Sequence, residues 1–305
     1  MVMLAVFLSL QLSAAQTPSE TPAPADAISL VKEGQKKLQA GDVEGAEVLF
    51  RKAFALNPSL YDVNYALGRL LDLNGRYVEA REHLDYALAS AEEAQKPQVW
   101  TAIGVSWVFE GKPEQAAVWF QRTFDAQMAA KSLDAAAGTA NALARVYLEA
   151  GVLEKAELWY RTGYETAKQI EKLTADQRDL WDFRWYHAQA RIAARRGRHD
   201  EARSHAAAAR MVLDKGTNPD QASQLPYLEG YLKFHAGDHR GAIANLAGAD
   251  QQDPFILGLI AQAEEKLGNA AKAREYYTKV MASGAHTINS AYSRPLARQY
   301  LAAGR

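Results

Sequence analysis

Apolar residues recur along most of this chain with a helical period, and the pattern is interrupted at intervals by a glycine. In residues 27–60 the helical pattern breaks at Gly41 and Asp42 and stops at Asn57 and Pro58. Glycine ends a helix readily because it adopts positive φ without a side-chain clash, and aspartate is a common N-cap. The pattern therefore predicts two α-helices joined by a tight turn.

This pattern occurs seven times. Each turn glycine is followed five residues later by an alanine and preceded seven residues earlier by a glycine or alanine. The turn glycines are Gly41, Gly75, Gly111, Gly151, Gly197, Gly237 and Gly268, and they are spaced from 31 residues (Gly237 to Gly268) to 46 residues (Gly151 to Gly197). Such spacing is typical of helical-hairpin arrays, and small residues at fixed helical positions let paired helices approach closely. The sequence therefore predicts an all-α array.

The large residues beside the small positions make each unit resemble the tetratricopeptide repeat, whose signature is W-x2-L-G-x2-Y, then A-x3-F, then proline. The third unit carries Trp100, Ile103, Gly104, Trp107, Ala116 and Phe120 at these positions. Later units are weaker, and the fifth has Ala206 where a large residue is expected. The resemblance covers residues 27 to about 286 and implies a right-handed α-solenoid of about seven helix-turn-helix repeats plus a C-terminal capping helix.

The N-terminal segment differs from the repeats. Residues 1–15 combine a short apolar run with Ser13, Ala14 and Ala15, a small-x-small cleavage site, and so predict a secretory signal peptide. The run is too short to span a bilayer, and its lack of Lys and Arg leaves an uncleaved anchor or a misplaced start as the alternative. Residues 16–26 contain three prolines and predict a flexible linker. We therefore expect a periplasmic or secreted protein without a transmembrane helix after cleavage.

The repeat boundaries and the tail complete the predicted domain organisation. Repeats are expected to start near residues 27, 61, 97, 137, 183, 223 and 254, and residues 287–305 to form the capping helix. In that helix the polar residues Ser293, Arg294 and Arg298 are expected to solvate the end of the array. Extra residues in 128–136 and 168–182 predict longer second helices in units three and four, whereas residues 212–222 predict a loop.

Composition narrows the class of function. The 305 residues include 48% hydrophobic and 23% charged residues with a formal net charge of −1, which suits an ordered protein and gives no global field for nucleic acid. The absence of cysteine excludes disulfides, thiolate metal sites, a cysteine nucleophile and a lipidated N-terminal cysteine. No nucleic-acid partner is expected.

Motifs for chemistry are absent from the sequence. It has no G-x-S-x-G elbow, P-loop, H-E-x-x-H or strand-to-helix G-x-G-x-x-G. His235 and His239 are four residues apart, but the turn at Gly237 lies between them and should separate the two rings. We therefore predict no catalytic residue, no metal site and no cofactor, and a protein that is not an enzyme.

The resemblance implies where a partner would bind, because in this family the first helices of successive repeats line a concave groove. Positions counted from the small residue of each first helix predict a peptide-binding groove formed by Asn141, Arg145, Arg184, His187, Arg191, Arg195, Tyr227, Tyr231 and Phe234. Guanidinium groups bind carboxylates bidentately, so the basic centre suits an acidic segment or a C-terminal carboxylate. An ordinary solvated arginine face is the alternative.

The prediction that follows is a non-catalytic scaffold that binds a peptide or protein segment in the concave groove, in the bacterial cell envelope. Two alternatives remain open. The chain could be an accessory subunit of an envelope assembly or secretion machine that binds mainly through its convex face. It could also be a small-ligand-binding protein or an enzyme without a recognisable motif.

Overall fold

The computed structural model describes residues 24–304, which form fifteen α-helices and one 3₁₀ turn without any strand. The helices are α1 (Pro24–Gln39), α2 (Val43–Leu56), α3 (Tyr61–Leu73), α4 (Tyr77–Ser90), α5 (Lys96–Phe109), α6 (Pro113–Ala129), α7 (Leu133–Glu149), α8 (Leu153–Lys168), α9 (Ala175–Arg195), α10 (His199–Leu213), α11 (Gln224–His235), α12 (His239–Leu246), α13 (Pro254–Lys266), α14 (Ala270–Ala282) and α15 (Ile288–Ala302). The all-α solenoid prediction is confirmed.

The N-terminal predictions fall mostly outside this range. The predicted signal peptide and the predicted linker as far as residue 23 lie outside the described residues. Helix α1 begins at Pro24, so the last three residues of the predicted linker are helical instead. Proline is well tolerated in the first turn of a helix, because the first N–H groups have no intrahelical acceptor.

The first fourteen helices pack as seven consecutive pairs, from α1 with α2 to α13 with α14, and α15 follows them. The seven turn glycines all have positive φ, between 72° and 82°. Asp42 caps α2, with its carboxylate accepting a hydrogen bond from the N–H of Gly45 at 2.8 Å. The predicted turn chemistry is therefore confirmed.

The small residues of the first helices allow the close approach that their spacing predicts. A Cβ atom added to Gly104 of α5 would lie 2.9 Å from the ring of Phe120 in α6. The equivalent atom on Gly34 would lie 2.4 Å from the ring of Phe50. These distances are shorter than a van der Waals contact, so in these two pairs the large residue of the second helix packs directly onto the glycine of the first.

One insertion lengthens an expected helix, α6 of unit three, and the other lengthens a different helix from the one expected. Residues 128–136 extend the end of α6 and the start of α7. In residues 168–182, α8 ends at Lys168 and the 21-residue helix α9 begins at Ala175. Helix α9 begins there because Thr174 and Gln177 form a capping box. The expected long second helix in unit four is wrong, since the extra residues belong to the first helix of unit five. Residues 214–223 form the predicted loop, with a 3₁₀ turn at Pro219–Gln221.

Helix α15 does more than cap the last pair. It packs against α13 and α14 as a cap would, but it also contacts α3, α5 and α7. Ser293 and Arg294 are only 3% and 2% exposed, so the expected solvated face is wrong. The hydroxyl of Tyr292 donates a hydrogen bond to the carbonyl of Val146 in α7 at 2.6 Å. Arg294 is buried with its acceptors, the carbonyl of Leu73 in α3 and those at the end of α14, whereas Ser293 donates to the carbonyl of Asn289 within α15.

The two ends of the array meet through the segment that joins α14 to α15. A Cβ atom on Gly284 would lie 2.3 Å from the carbonyl oxygen of Leu38 in α1. The imidazole Nε2 of His286 lies 2.7 Å from a carboxylate oxygen of Asp72 in α3, and both side chains are buried. The C-terminal segment thus covers the inner surface of the early repeats and leaves a separate cavity between α7, α9 and α11.

Candidate functional site

A cavity of about 460 Å³ lies between α7, α9 and α11. Its lining residues are Gly138, Asn141, Ala142, Arg145, Tyr160, Phe183, Arg184, His187, Arg191, Gln221, Gln224 and Tyr227. Six of the nine residues predicted for the groove are among them. The other three, Arg195, Tyr231 and Phe234, are not part of this lining. We call this space the α7–α9–α11 cavity.

The charges that line the cavity are all positive. Arg145, Arg184 and Arg191 contribute guanidinium groups, and none of the twelve lining residues in the described part of the chain is Asp or Glu. Glu149 lies outside this lining and pairs with Arg145, but Arg184 and Arg191 have no carboxylate beside them in the lining, which raises the local potential and favours an anionic ligand. This arrangement matches the sign of charge that the sequence predicts for the groove.

Arg191 is the most deeply placed of the three arginines. It is 5% exposed, and its Nη2 donates a hydrogen bond to the hydroxyl of Tyr160 at 2.9 Å. Its Nη1 is buried without a hydrogen-bond partner. Burial disfavours its charge, but the nearby oxygens of Tyr160 and Tyr227 outweigh this effect and leave its pKa raised. Arg191 is therefore a fixed cation with one donor group to spare.

His187 and Tyr227 lie beside Arg191. Their ring centroids are 5.6 Å apart, and the two residues are 7% and 4% exposed. The Nε2 of His187 and the hydroxyl of Tyr227 are both buried without a partner. Burial lowers the pKa of His187 well below its usual value, and Arg191 and Arg145 lower it further. Burial raises the pKa of Tyr227, so its hydroxyl keeps its proton and can donate.

Glu149 neutralises part of the predicted basic groove. Its side chain is 6% exposed, and its oxygens lie 3.1 Å from Nε of Arg145 and 3.3 Å from Nη1 of Arg195. The first contact is an ion pair without hydrogen-bond geometry. The hydroxyl of Tyr231 lies 3.5 Å from the same carboxylate. Arg195 and Tyr231 are therefore held in an internal network next to the cavity. The four-residue spacing of Arg145 and Glu149 is a sequence signal for this pair.

Arg145 connects this network to the cavity. Its guanidinium carbon lies 4.4 Å from the ring centroid of Phe255 in α13. Burial disfavours its charge, but Tyr227 and Glu149 raise its pKa above the usual arginine value. Arg145 therefore remains cationic although Glu149 balances much of its charge.

The remaining predicted residues have distinct positions. Arg184 of α9 lies over the ring of Trp181 at 4.7 Å and lines the cavity. Asn141 of α7 also lines it and packs against the backbone of α8, where a Cβ on Gly163 would be 2.5 Å from its Oδ1. Phe234 packs edge-on against His235 at 5.3 Å and away from the cavity lining. The aromatic side of the predicted groove is therefore mostly core.

These side chains can bind but show no arrangement for a metal. Within residues 24–304 no group of three or more His, Asp or Glu side chains is placed to hold an ion. In the same range no helix is both long enough and apolar enough to cross a bilayer. The cavity offers several hydrogen-bond donors and three cations, which suits recognition of an anionic group.

Comparison with known proteins identifies the repeat. A family model for the tetratricopeptide repeat matches residues 37–104, and a second model with the same description matches residues 256–282. No curated protein matches the sequence significantly. The two matched segments lie near the two ends of the array, on either side of the α7–α9–α11 cavity.

Solved structures share the architecture. A tetratricopeptide repeat protein from Parabacteroides merdae ATCC 43184 is 13% identical, with 91% of this chain and 98% of that chain covered and a TM-score of 0.52. The apo form of RapI is 13% identical, with coverage of 91% and 99% and a TM-score of 0.56. A putative kinesin light chain from Podosopora anserina is 20% identical, with coverage of 64% and 98% and a TM-score of 0.53. At these identities the likeness shows the fold alone.

Proposed function

Because the chain is a tetratricopeptide-repeat protein, and thus a protein-interaction scaffold, we propose that its α7–α9–α11 cavity receives an acidic segment or a C-terminal carboxylate of a protein partner. The observation that carries the proposal is the charge of the lining, with Arg145, Arg184 and Arg191 present and no carboxylate among the twelve residues that the structure describes there. Arginine binds carboxylates with two parallel hydrogen bonds, which supports this choice of ligand.

The filling of the concave side supports this location. Helix α15 already contacts α3, α5 and α7, so a partner segment would meet this chain's own C-terminal helix on the early repeats. The α7–α9–α11 cavity offers space of about 460 Å³ beyond that contact. We place the partner there and assign the function as non-catalytic.

We also propose that the protein acts in the bacterial cell envelope, on the basis of the signal-peptide pattern in residues 1–15. Expression of the full chain followed by cell fractionation and N-terminal sequencing tests this location. A periplasmic or secreted form that begins at Gln16 is the expected result. A cytoplasmic protein that retains Met1 would contradict it.

Capture from an envelope extract tests the binding proposal. Gly138 lines the cavity, and a Cβ added there would meet nothing within 4 Å, so Gly138→Trp should fill the cavity without straining the helix. Arg184→Glu reverses one lining charge. Both variants should lose the partner captured by the wild-type protein, with at least about a tenfold lower yield by quantitative mass spectrometry, since 1.4 kcal/mol corresponds to tenfold in affinity.

Arg161→Glu provides the matched control, because Arg161 is an exposed arginine paired with Glu157 and lines neither this cavity nor the cleft beside α10. This variant should capture the partner as the wild type does. The purified partner should then bind the wild-type protein directly. A synthetic peptide with the sequence of the partner's acidic segment should compete with the whole partner for this binding. Equal capture by Gly138→Trp and the wild type would show that the partner binds elsewhere.

A second candidate surface supports the alternative in which the partner binds outside the groove. A cleft of about 630 Å³ lies between α10 and the next pair, and Ala202, Ala206 and Leu232 are part of its lining. Its edge includes Met211, which is 71% exposed. The small Ala206 stands where the repeat expects a large residue, which leaves this cleft open. Loss of capture by Met211→Glu, with normal capture by Gly138→Trp, would favour this surface.

A further inference from the structure

We propose that the α7–α9–α11 cavity binds one anionic group next to Arg191, Tyr227 and His187, and that His187 takes up a proton as the anion binds, so that binding strengthens as the pH falls. The inference rests on the proposed function for the location of the ligand. It adds the side chains that meet the recognised group and a proton that is taken up when the group binds.

Three buried polar atoms mark this cavity as a binding site. Nη1 of Arg191, Nε2 of His187 and the hydroxyl of Tyr227 are each buried and lack a hydrogen-bond partner. All three residues line the same cavity, and each is more than nine-tenths buried. Buried polar groups are rarely without a partner, and these three lie beside Nε of Arg145, whose contact with Glu149 also lacks hydrogen-bond geometry. An oxyanion would satisfy the donors, because carboxylate and phosphate oxygens are acceptors with several lone pairs.

The surroundings of His187 explain its uncharged state in the free protein. The groups that face it from the packed helices are Arg145 of α7, Tyr160 of α8, Arg184 and Arg191 of α9, and Tyr227 of α11. Every charged member of this set is a cation. Burial and the positive charges of Arg191 and Arg145 hold the pKa of His187 well below its usual value. A neutral imidazole can present Nε2 as an acceptor or as a donor, depending on its tautomer.

A bound anion changes the electrostatic environment of His187. Its negative charge offsets Arg191 and Arg145, and its oxygen accepts a hydrogen bond from the protonated imidazole. Both effects raise the pKa of His187 in the complex. Because linkage is reciprocal, each unit by which the anion raises this pKa increases the affinity at low pH by about tenfold. Tyr227 and Arg191 keep their protons in both states, since their pKa values are raised. His187 is the residue that makes binding depend on pH.

Ring titration by NMR tests the proposal directly. Imidazole nitrogens of the full chain are labelled with ¹⁵N, and the pKa of His187 is measured in sodium chloride, sodium acetate and sodium phosphate at equal ionic strength. The expected result is a rise of at least one unit for His187 in acetate or phosphate. Acetate stands for a peptide carboxylate and phosphate for a phosphorylated group, so the more effective anion identifies the source.

Variants keep the test falsifiable. Gly138→Trp should abolish the anion-dependent shift of His187 by occupying the cavity, and a normal helical circular dichroism spectrum shows that the variant folds. His187→Gln should still bind the effective anion, but its affinity should lose the tenfold dependence per pH unit. An unchanged His187 titration in all three salts would overturn the proposal.

The two proposals fail in different ways. If Gly138→Trp abolishes capture of a protein partner while His187 titrates identically in every salt, the partner site stands and the proton-linked anion is wrong. If the anion shifts His187 while Gly138→Trp captures its partner normally, the anion site stands and the proposed partner location is wrong.

Discussion

The guanidinium of Arg294 in α15 donates two hydrogen bonds to the carbonyl oxygen of Leu73 in α3, from Nε at 3.2 Å and from Nη2 at 3.0 Å. Its Nη1 donates to the carbonyls of Met281 and Ser283 at 2.8 and 2.6 Å. The last carbonyls of a helix have no intrahelical partner, and these bonds satisfy them at the ends of α3 and α14. One side chain therefore joins the second helix pair to the seventh.

Arg294→Met is expected to lower the free energy of unfolding by about 3 kcal/mol, because hydrogen bonds to charged groups contribute about 1.5–3 kcal/mol each. The carbonyls of Met281 and Ser283 lose this donor, whereas the carbonyl of Leu73 keeps a hydrogen bond from Nη2 of Arg298 at 2.6 Å. Urea denaturation of the wild type and the variant measures the difference. Arg161→Met is the control, because Arg161 has a side chain that is 62% exposed and should change stability by less than about 0.5 kcal/mol. Equal effects of the two substitutions would mean that α15 is a peripheral cap.

The helix pairs could be predicted because the information for them is local. Each turn depends on a glycine with positive φ and on small residues within one unit, such as Gly104 against Phe120. The return of α15 could not be predicted in this way. Its contacts join residues more than 200 positions apart, as in the 221-residue separation of Arg294 and Leu73. Arginine and serine in a terminal helix are typical of a solvated face. Arg294 is buried instead because its acceptors include a carbonyl in a distant helix, which the sequence of α15 alone does not reveal.

The sequence indicated where the cavity residues lie, but it did not indicate which of the predicted arginines are paired with a carboxylate. Six of the nine residues obtained by counting from the small residue of each first helix line one cavity. The count takes no account of pairing between neighbouring first helices, so it misses the role of Glu149, which lies 3.3 Å from Arg195 across 46 residues of sequence. The count covers only first helices, so it also omits Tyr160 of α8, whose hydroxyl accepts the hydrogen bond that orients Arg191.

Two glycines in helices should respond to alanine with opposite signs. At Gly104 the new methyl group would lie 2.9 Å from the ring of Phe120, so Gly104→Ala is expected to destabilise the protein by about 1–3 kcal/mol through overpacking. At Gly138 the methyl group would meet nothing within 4 Å, and Gly138→Ala should stabilise by about 0.5–1 kcal/mol through helix propensity. Thermal unfolding of both variants checks the pair. The same sign for both would contradict the close approach of α5 and α6.

Lys131 occupies a position that normally suits glycine. Its φ is 56°, and its N–H donates to the carbonyl of Met128 at 3.0 Å just after the end of α6. A side chain in this left-handed region costs about 1–2 kcal/mol, which glycine avoids. Glycine also loses more conformational entropy on folding, so the net gain in the free energy of unfolding for Lys131→Gly is expected to be about 0.5–1 kcal/mol. Lys36→Gly, within helix α1, should instead lower stability by about 1 kcal/mol. A loss of stability in Lys131→Gly would show that the lysine side chain makes a compensating contact.

Because several histidines are held neutral in the folded protein, we expect its free energy of unfolding to decrease in mild acid. Burial, followed by Arg195 and His199, lowers the pKa of His235 to about 4, and burial also lowers the pKa of His83. In the unfolded chain these groups titrate near 6.5, so below that pH the unfolded state binds more protons and the free energy of unfolding decreases. Stability should therefore be constant above about pH 6.5 and fall as the pH drops towards 4.

The variant His235→Asn isolates one contribution. Without this imidazole, the decrease in the free energy of unfolding between about pH 7.0 and 4.5 should be smaller by about 1–2 kcal/mol, allowing for solvent screening at a partly exposed residue. Urea denaturation at pH 7.0, 5.5 and 4.5 measures this decrease. These pH values lie above most of the range in which carboxylates titrate. If the wild type and the variant lost stability in parallel over this interval, His235 would have to be protonated in the folded protein, and its packing against Tyr231 at 4.4 Å would have to tolerate a cation.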